Sequence, residues 1–364
     1  MKNGKIELMR FLFSIMIVFY HGQKHFMDIN TDSVHPAFFT RGYIGVEFFF
    51  LLTGFLMAKS IYKKRENESN IDLGLETVRY TWRKIKAILP YHFVAFAILF
   101  AGKVLLENWT VRVSLKKLFD MIPGILLIQK VGFNYNNLNS VEWYISCMIF
   151  AVMILYPICR RWYSMFVHVV APVGGLFLLG YLAHTNGTFT GVSKWSGIVF
   201  FCVLRAIAEI VLGCTVFEIT QVMIRHSWAK NQKILLTGLE WCCYIFTFVF
   251  SASTIEKKYE IYVVLALMIA LAISFSNLSY MNRMFDNRVC MILGAWSLPI
   301  YLSQVLALNI IKKLEGLSDF QEIALLLVIT VVNAAVCKFI VYFIENVIMK
   351  HFLNHSTAGM NGLN

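Results

Sequence analysis

Residues 43–62 read YIGVEFFFLLTGFLMAKSIY, twenty residues with one acid, Glu47, and one base, Lys59. About 20 apolar residues in a helix cross the hydrocarbon core of a bilayer. Working outward, one similar block precedes this stretch, at 6–22. Eight follow, at about 84–103, 141–159, 165–183, 196–222, 234–252, 261–279, 289–311 and 321–349. The 364-residue chain is 58% hydrophobic and only 15% charged, where a soluble domain carries about 25% charged residues. The fold expected is therefore an all-α integral membrane protein, with about ten transmembrane helices in one bundle over residues 1–350. Residues 351–364 are expected to be a short cytoplasmic C-terminal tail. No internal repeat and no fused soluble domain is visible.

Most connections are short. Residues 63–83 hold the charge-rich run KKRENESN, expected to be solvated. Residues 104–140 hold MIPGILLI (121–128), too short to span and expected to be re-entrant or interfacial. Lys and Arg outnumber Asp and Glu by 33 to 21. With the N-terminus inside, 18 of the cations fall in inner segments and 12 in outer ones, the bias that orients membrane proteins. Both termini are thus expected in the cytoplasm, and the basic surplus is a topological signal, not one for nucleic acid. The eight cysteines show no CxxC or Cys/His spacing, so neither a metal nor a disulfide framework is expected. Arg10 interrupts the first apolar run and no small-residue cleavage site follows, so that run is expected to remain as the first span.

Charged groups inside spans are costly and tend to face the bundle interior or a functional cavity. Arg10 and His21 are eleven residues apart in the first block. That is about 16 Å of helical rise and close to three full turns, so they share a face. An anchor at each membrane interface would explain them equally well on spacing alone. Glu47 sits among Val and Phe, where a carboxylate is paired or kept neutral. Gly42, Gly45 and Gly54 around it permit close helix contact. Arg205 and Glu209 are placed to pair with each other, as a structural element. Arg83, Lys84 and Lys86 open the third span, and Glu142, Trp143 and Tyr144 open the fourth. The first group suits either a polyanion or a simple topological stop, the second either a sugar ring or an interfacial anchor.

In order and spacing, these blocks resemble the acyltransferase 3 family of membrane acyltransferases. Arg10-x10-His21 is similar to its first-span signature and GYIGVEFFFLLTGF (42–55) to its second-span block, with Thr53 where Ser is commoner. Arg83-x2-Lys86 with Pro90-Tyr91 resembles its Arg-x2-Arg…Pro-Tyr block, VEWYISCMIF (141–150) its Trp-Tyr-x-Ser block, and GAWSLPIYLSQ (294–304) its late Gly-x-x-Ser…Tyr-Leu block. Two departures matter: Lys86 replaces an arginine, and Gln304 stands where many members carry histidine.

The resemblance implies an enzyme that moves an acyl group, most commonly acetyl, from cytosolic acyl-CoA to a hydroxyl. The acceptor would be an extracytoplasmic glycan or its lipid-linked precursor. His21 would be the general base, with Arg10 beside the donor and Glu47 or Glu142 orienting the imidazole. Arg83, Lys84 and Lys86 would hold acyl-CoA, and Glu142, Trp143 and Tyr144 the acceptor. No bound cofactor or metal is implied. The partners would be acyl-CoA, the glycan or lipid-linked sugar and membrane lipid, and the location the plasma membrane. A transporter or flippase of a lipid-linked sugar, or an acyltransferase acting on a small molecule or lipid, fits the composition too.

Overall fold

The computed structural model of the protein describes residues 3–27, 39–65, 72–132, 138–189, 191–253 and 255–348. The tail expected at 351–364 lies outside them, as does most of the KKRENESN run. Ten long helices occupy the ten apolar blocks: α1 Gly4–Met27, α2 Gly45–Tyr62, α3 Leu73–Leu106, α4 Trp143–Arg161, α5 Ala171–Asn186, α6 Phe201–Arg225, α7 Lys230–Ala252, α8 Glu260–Ser276, α9 Arg288–Ile311 and α10 Asp319–Phe343. A single Trp195–Phe200 bridge is the only β pairing among the described residues. Eight helical segments are long and apolar enough to cross a membrane. The other two long helices are α1 and α6. Both carry buried charge, and α6 is enclosed by α2, α4, α5 and α8. The protein is an all-α membrane protein.

One departure from the sequence expectation, and one detail beyond it, have local causes. Helix α3 begins eleven residues early. Asp72 accepts from the Leu75 amide at 2.9 Å and starts the helix, so a stretch expected to be a loop is helical. Glu76 then takes Lys64 at 2.7 Å, Tyr156 at 2.7 Å and Arg160 at 3.4 Å, tying the end of α2 and the end of α4 to the start of α3. In the long connection, Val111–Asp120 is an amphipathic helix with no buried residue. The MIPGILLI piece after it turns inward: Met121, Pro123, Gly124 and Leu127 are buried, and the Ile125 carbonyl takes His92 Nε2 at 3.0 Å. An irregular backbone at that depth is stable because it is covered by protein and hydrogen-bonded.

Two seams organise the bundle. Between α2 and α6, Gly54 and Gly213 face each other so closely that an added Cβ would lie 1.9 Å from the Ile210 carbonyl oxygen or 2.1 Å from that of Leu51. Helix association without a hydrophobic drive relies on such small residues. Gly42 and Gly45 likewise let α2 and the turn before it approach α1. The other seam joins α1 to α9 and is packed about as extensively as the first.

Candidate functional site

Helices α1 and α9 run parallel, and polar contacts join them along their length. At one end, Gly294 leaves room for Glu7, whose Oε2 would be 2.1 Å from a Cβ there. One turn on, Ser297 Oγ donates to the Arg10 carbonyl at 3.1 Å and lies 2.7 Å from Ser14 Oγ. Towards the other end, His21 Nδ1 lies 2.8 Å from Gln304 Oε1. Gln304 is fully buried, and its Nε2 donates to the Tyr301 carbonyl at 2.7 Å. That bond fixes which end of the amide faces His21. An amide oxygen can only accept, so Nδ1 carries the ring proton and Nε2 is the basic nitrogen of the neutral imidazole.

Beside the Arg10 end of this seam lies a cavity of about 410 Å³. Glu7, Arg10, Ser14, Ser297 and Tyr301 line it from the seam, Phe49, Thr53 and Lys59 from α2, Ile88 from α3, and Tyr144 and Met148 from α4. Arg10 Nη1 is held by Glu7 at 2.7 Å, one turn earlier, and its side chain remains one-third exposed. The walls are mainly apolar, with a few convergent polar groups. That is the composition of a site that buries a ligand and orients one end of it. His21 and Gln304 do not line this space. His21 is seven residues beyond Ser14, about 10 Å further along the helix.

The sequence model of the acyltransferase 3 family, described as an acyltransferase domain, matches residues 3–342. The chain belongs to the acyltransferase 3 family. No curated protein and no solved structure matches it. It is a multi-pass membrane acyltransferase.

In this acyltransferase the two carboxylates expected to orient His21 are engaged elsewhere. Glu47 Oε1 takes Arg205 Nη2 at 3.2 Å, and Glu209 Oε1 takes Arg205 Nε at 2.8 Å, all three side chains fully enclosed. The Arg205–Glu209 pairing expected from spacing is present, and Glu47 joins it as a third member. Glu142 is fully buried against His92 at 2.9 Å and Asn139 at 3.1 Å. Gln304 holds the position beside the imidazole that was expected of a carboxylate. The resemblance had marked this residue only as a missing histidine.

The outer trio also separates. Glu142 and Trp143 are packed into the bundle, with Trp143 edge-on to Phe50, and Tyr144 alone of the three lines the cavity. Arg83 and Lys84 lie over the Tyr80 ring, at 5.9 and 5.4 Å, while Arg83 and Lys86 are exposed. None of Arg83, Lys84 and Lys86 lines the cavity, although Lys84 is one turn from its wall residue Ile88. Lys59 does line it. Sequence reading passed over Lys59 because a lysine near the end of a span looks like an ordinary interfacial anchor.

Proposed function

We propose that this acyltransferase is an O-acetyltransferase of the plasma membrane, with both termini in the cytoplasm. It takes acetyl from cytosolic acetyl-CoA and delivers it to a hydroxyl of an extracytoplasmic glycan or its lipid-linked precursor. The observation that carries this reading is the α1–α9 seam. Arg10, at one end of α1, lines a cavity shaped for a ligand, and the other end presents an imidazole with an assigned tautomer. The pantetheine arm threads the cavity past Arg10 and carries its thioester beyond Ser14 to His21. The acceptor hydroxyl approaches His21 from the opposite end of the bundle.

The chemistry then runs as follows. His21 Nε2 removes the proton of the acceptor hydroxyl as that oxygen attacks the thioester carbonyl. The C–S bond breaks, the CoA sulfur leaves as thiolate and takes the proton back from the imidazolium, and the products are an ester and free CoA. An alcohol is a poor nucleophile while protonated, and a positioned general base is worth roughly 10²–10⁴-fold. Gln304 acts on His21 alone, as a positioning residue, by holding Nδ1 protonated. Mass spectrometry of surface glycan from cells with and without the protein tests the acceptor class. Loss of O-acetyl groups without the protein supports it, and an unchanged glycan refutes it. Cysteines placed at Ser227 and Ser193, in exposed loops at opposite ends of the bundle, test the topology. Labelling of Ser227→Cys from the cytoplasm and Ser193→Cys from outside is expected.

A further inference from the structure

The cavity beside Arg10 does not stop at the end of the bundle. A second space of about 830 Å³ shares Asn3, Lys59 and Phe275 with it and continues outward between the start of α1, the start of α7 and the α8–α9 connection. Lys59 Nζ stands 5.9 Å over the Phe275 ring, so these two side chains form the neck between the spaces. Beyond the neck the walls change character. The inner cavity is mainly apolar, whereas the outer vestibule is lined by Lys233, Arg283, Asn277, Asn282 and Asp286. Lys59, Lys233 and Arg283 form no ion pair among the described residues, and Asp286 is the one carboxylate among the residues described as lining the vestibule. Asn282 Nδ2 donates to Asn277 Oδ1 at 3.3 Å, and Asn282 Oδ1 is buried without a hydrogen-bond partner.

We propose that this vestibule, through Lys59, Lys233 and Arg283, binds the phosphate-bearing nucleotide end of a coenzyme A thioester, whose arm passes the neck into the Arg10 cavity. The assignment rests on the acyl-CoA reading of the inner cavity. It moves the phosphates from the α3 cations, which line neither space, to the opposite side of the neck. The shape fits a molecule with a polyanionic head and a narrow, largely uncharged arm. Three cations against one carboxylate stand where the head would rest, an apolar channel holds the arm, and a constriction lies between them. Lysine supplies point charges for phosphate, and the arginine fork can engage two phosphate oxygens at once. The unpartnered Asn282 Oδ1 offers an acceptor to an amino group such as that of adenine.

A phosphate at a membrane surface can also belong to a lipid headgroup, so the test separates the two sources. Binding of CoA, and of acetyl-pantetheine, which lacks the phosphates, is measured by calorimetry on purified protein in nanodiscs with and without phosphatidylglycerol. The variants are Lys233→Ala/Arg283→Ala and, for comparison, Arg83→Ala/Lys86→Ala. The vestibule pair is expected to weaken CoA by at least about tenfold, the scale of losing one charge-assisted hydrogen bond, and to leave acetyl-pantetheine unchanged. The α3 pair should change CoA affinity much less, and phosphatidylglycerol should not alter this order. Unchanged CoA affinity in Lys233→Ala/Arg283→Ala overturns the vestibule while leaving the acyl-CoA reading standing. So does a loss confined to retained phosphatidylglycerol in native mass spectrometry. Wild-type protein that binds no CoA at all overturns both.

Discussion

The α2–α6 seam and the α1–α9 seam use the same kinds of residue to opposite ends. Both pair a glycine with a close neighbour, and both bury polar groups. In the α2–α6 seam, Gly54 and Gly213 bring two backbones into contact, and Arg205 is shared between Glu47 and Glu209 in complete enclosure. None of Glu47, Arg205 and Glu209 lines the cavity beside Arg10. In the α1–α9 seam, Gly294 and Ser297 hold the helices together at one end, and beside them the packing parts into a cavity with a one-third exposed arginine. A buried charge is thus not in itself a sign of a site. What separates the two is whether the polar groups satisfy one another or leave a face towards open space.

Substituting each seam should sharpen this contrast. The largest effect is expected from Gly213→Leu, which drives a side chain into the Leu51 carbonyl. Folded protein should disappear from the membrane fraction, as judged by size-exclusion profile, irrespective of any ligand. Arg205→Ala comes next. It strands two buried carboxylates, and breaking such a pair costs about 3–5 kcal/mol. Thermal unfolding in detergent should show a large loss of stability, with CoA affinity per folded molecule unchanged. Gln304→Leu should act in the opposite sense. Stability changes little, KM for the donor holds, and kcat falls by roughly tenfold, well short of the full worth of a general base. Gln304→His, the side chain common in the family at this position, should restore much of that rate by again pairing with Nδ1. The smallest effect is expected from Arg83→Ala. An exposed cation stacked on Tyr80 is worth up to about 1 kcal/mol, so CoA affinity measured by calorimetry should shift less than the vestibule variants shift it.

Much of this contrast was legible in the sequence, and the remainder had physical reasons for being hidden. The ten helices follow from hydropathy because an apolar block long enough to span has few other uses. Gly42, Gly45 and Gly54 announced close contact, and Arg205 and Glu209 paired as their spacing implies. The start of α3 was missed because a capping aspartate, Asp72, outweighs the polarity of the turn that follows it. Arg205 and His92 were illegible as partners of Glu47 and Glu142 because each comes from another helix: Arg205 lies 158 residues from Glu47, and His92 lies 50 from Glu142. Gln304 was hidden for the same reason, at 283 residues from His21. Lys59 and Lys233 each look like ordinary membrane-edge lysines, and only the fold puts them around one space.

The central claim is that His21, held by Gln304, removes a proton in the transition state and does not merely anchor α1 at an interface. The most direct measurement is acetyl transfer from acetyl-CoA in membranes carrying wild type, His21→Ala or His21→Gln, normalised to folded protein, with CoA affinity determined in parallel. Both variants should lose about 10²–10⁴-fold in rate while CoA affinity stays at the wild-type value, because a general base contributes to the transition state and not to donor binding. A wild-type rate from His21→Gln, which keeps a polar group at that end of the helix but no base, would contradict the account.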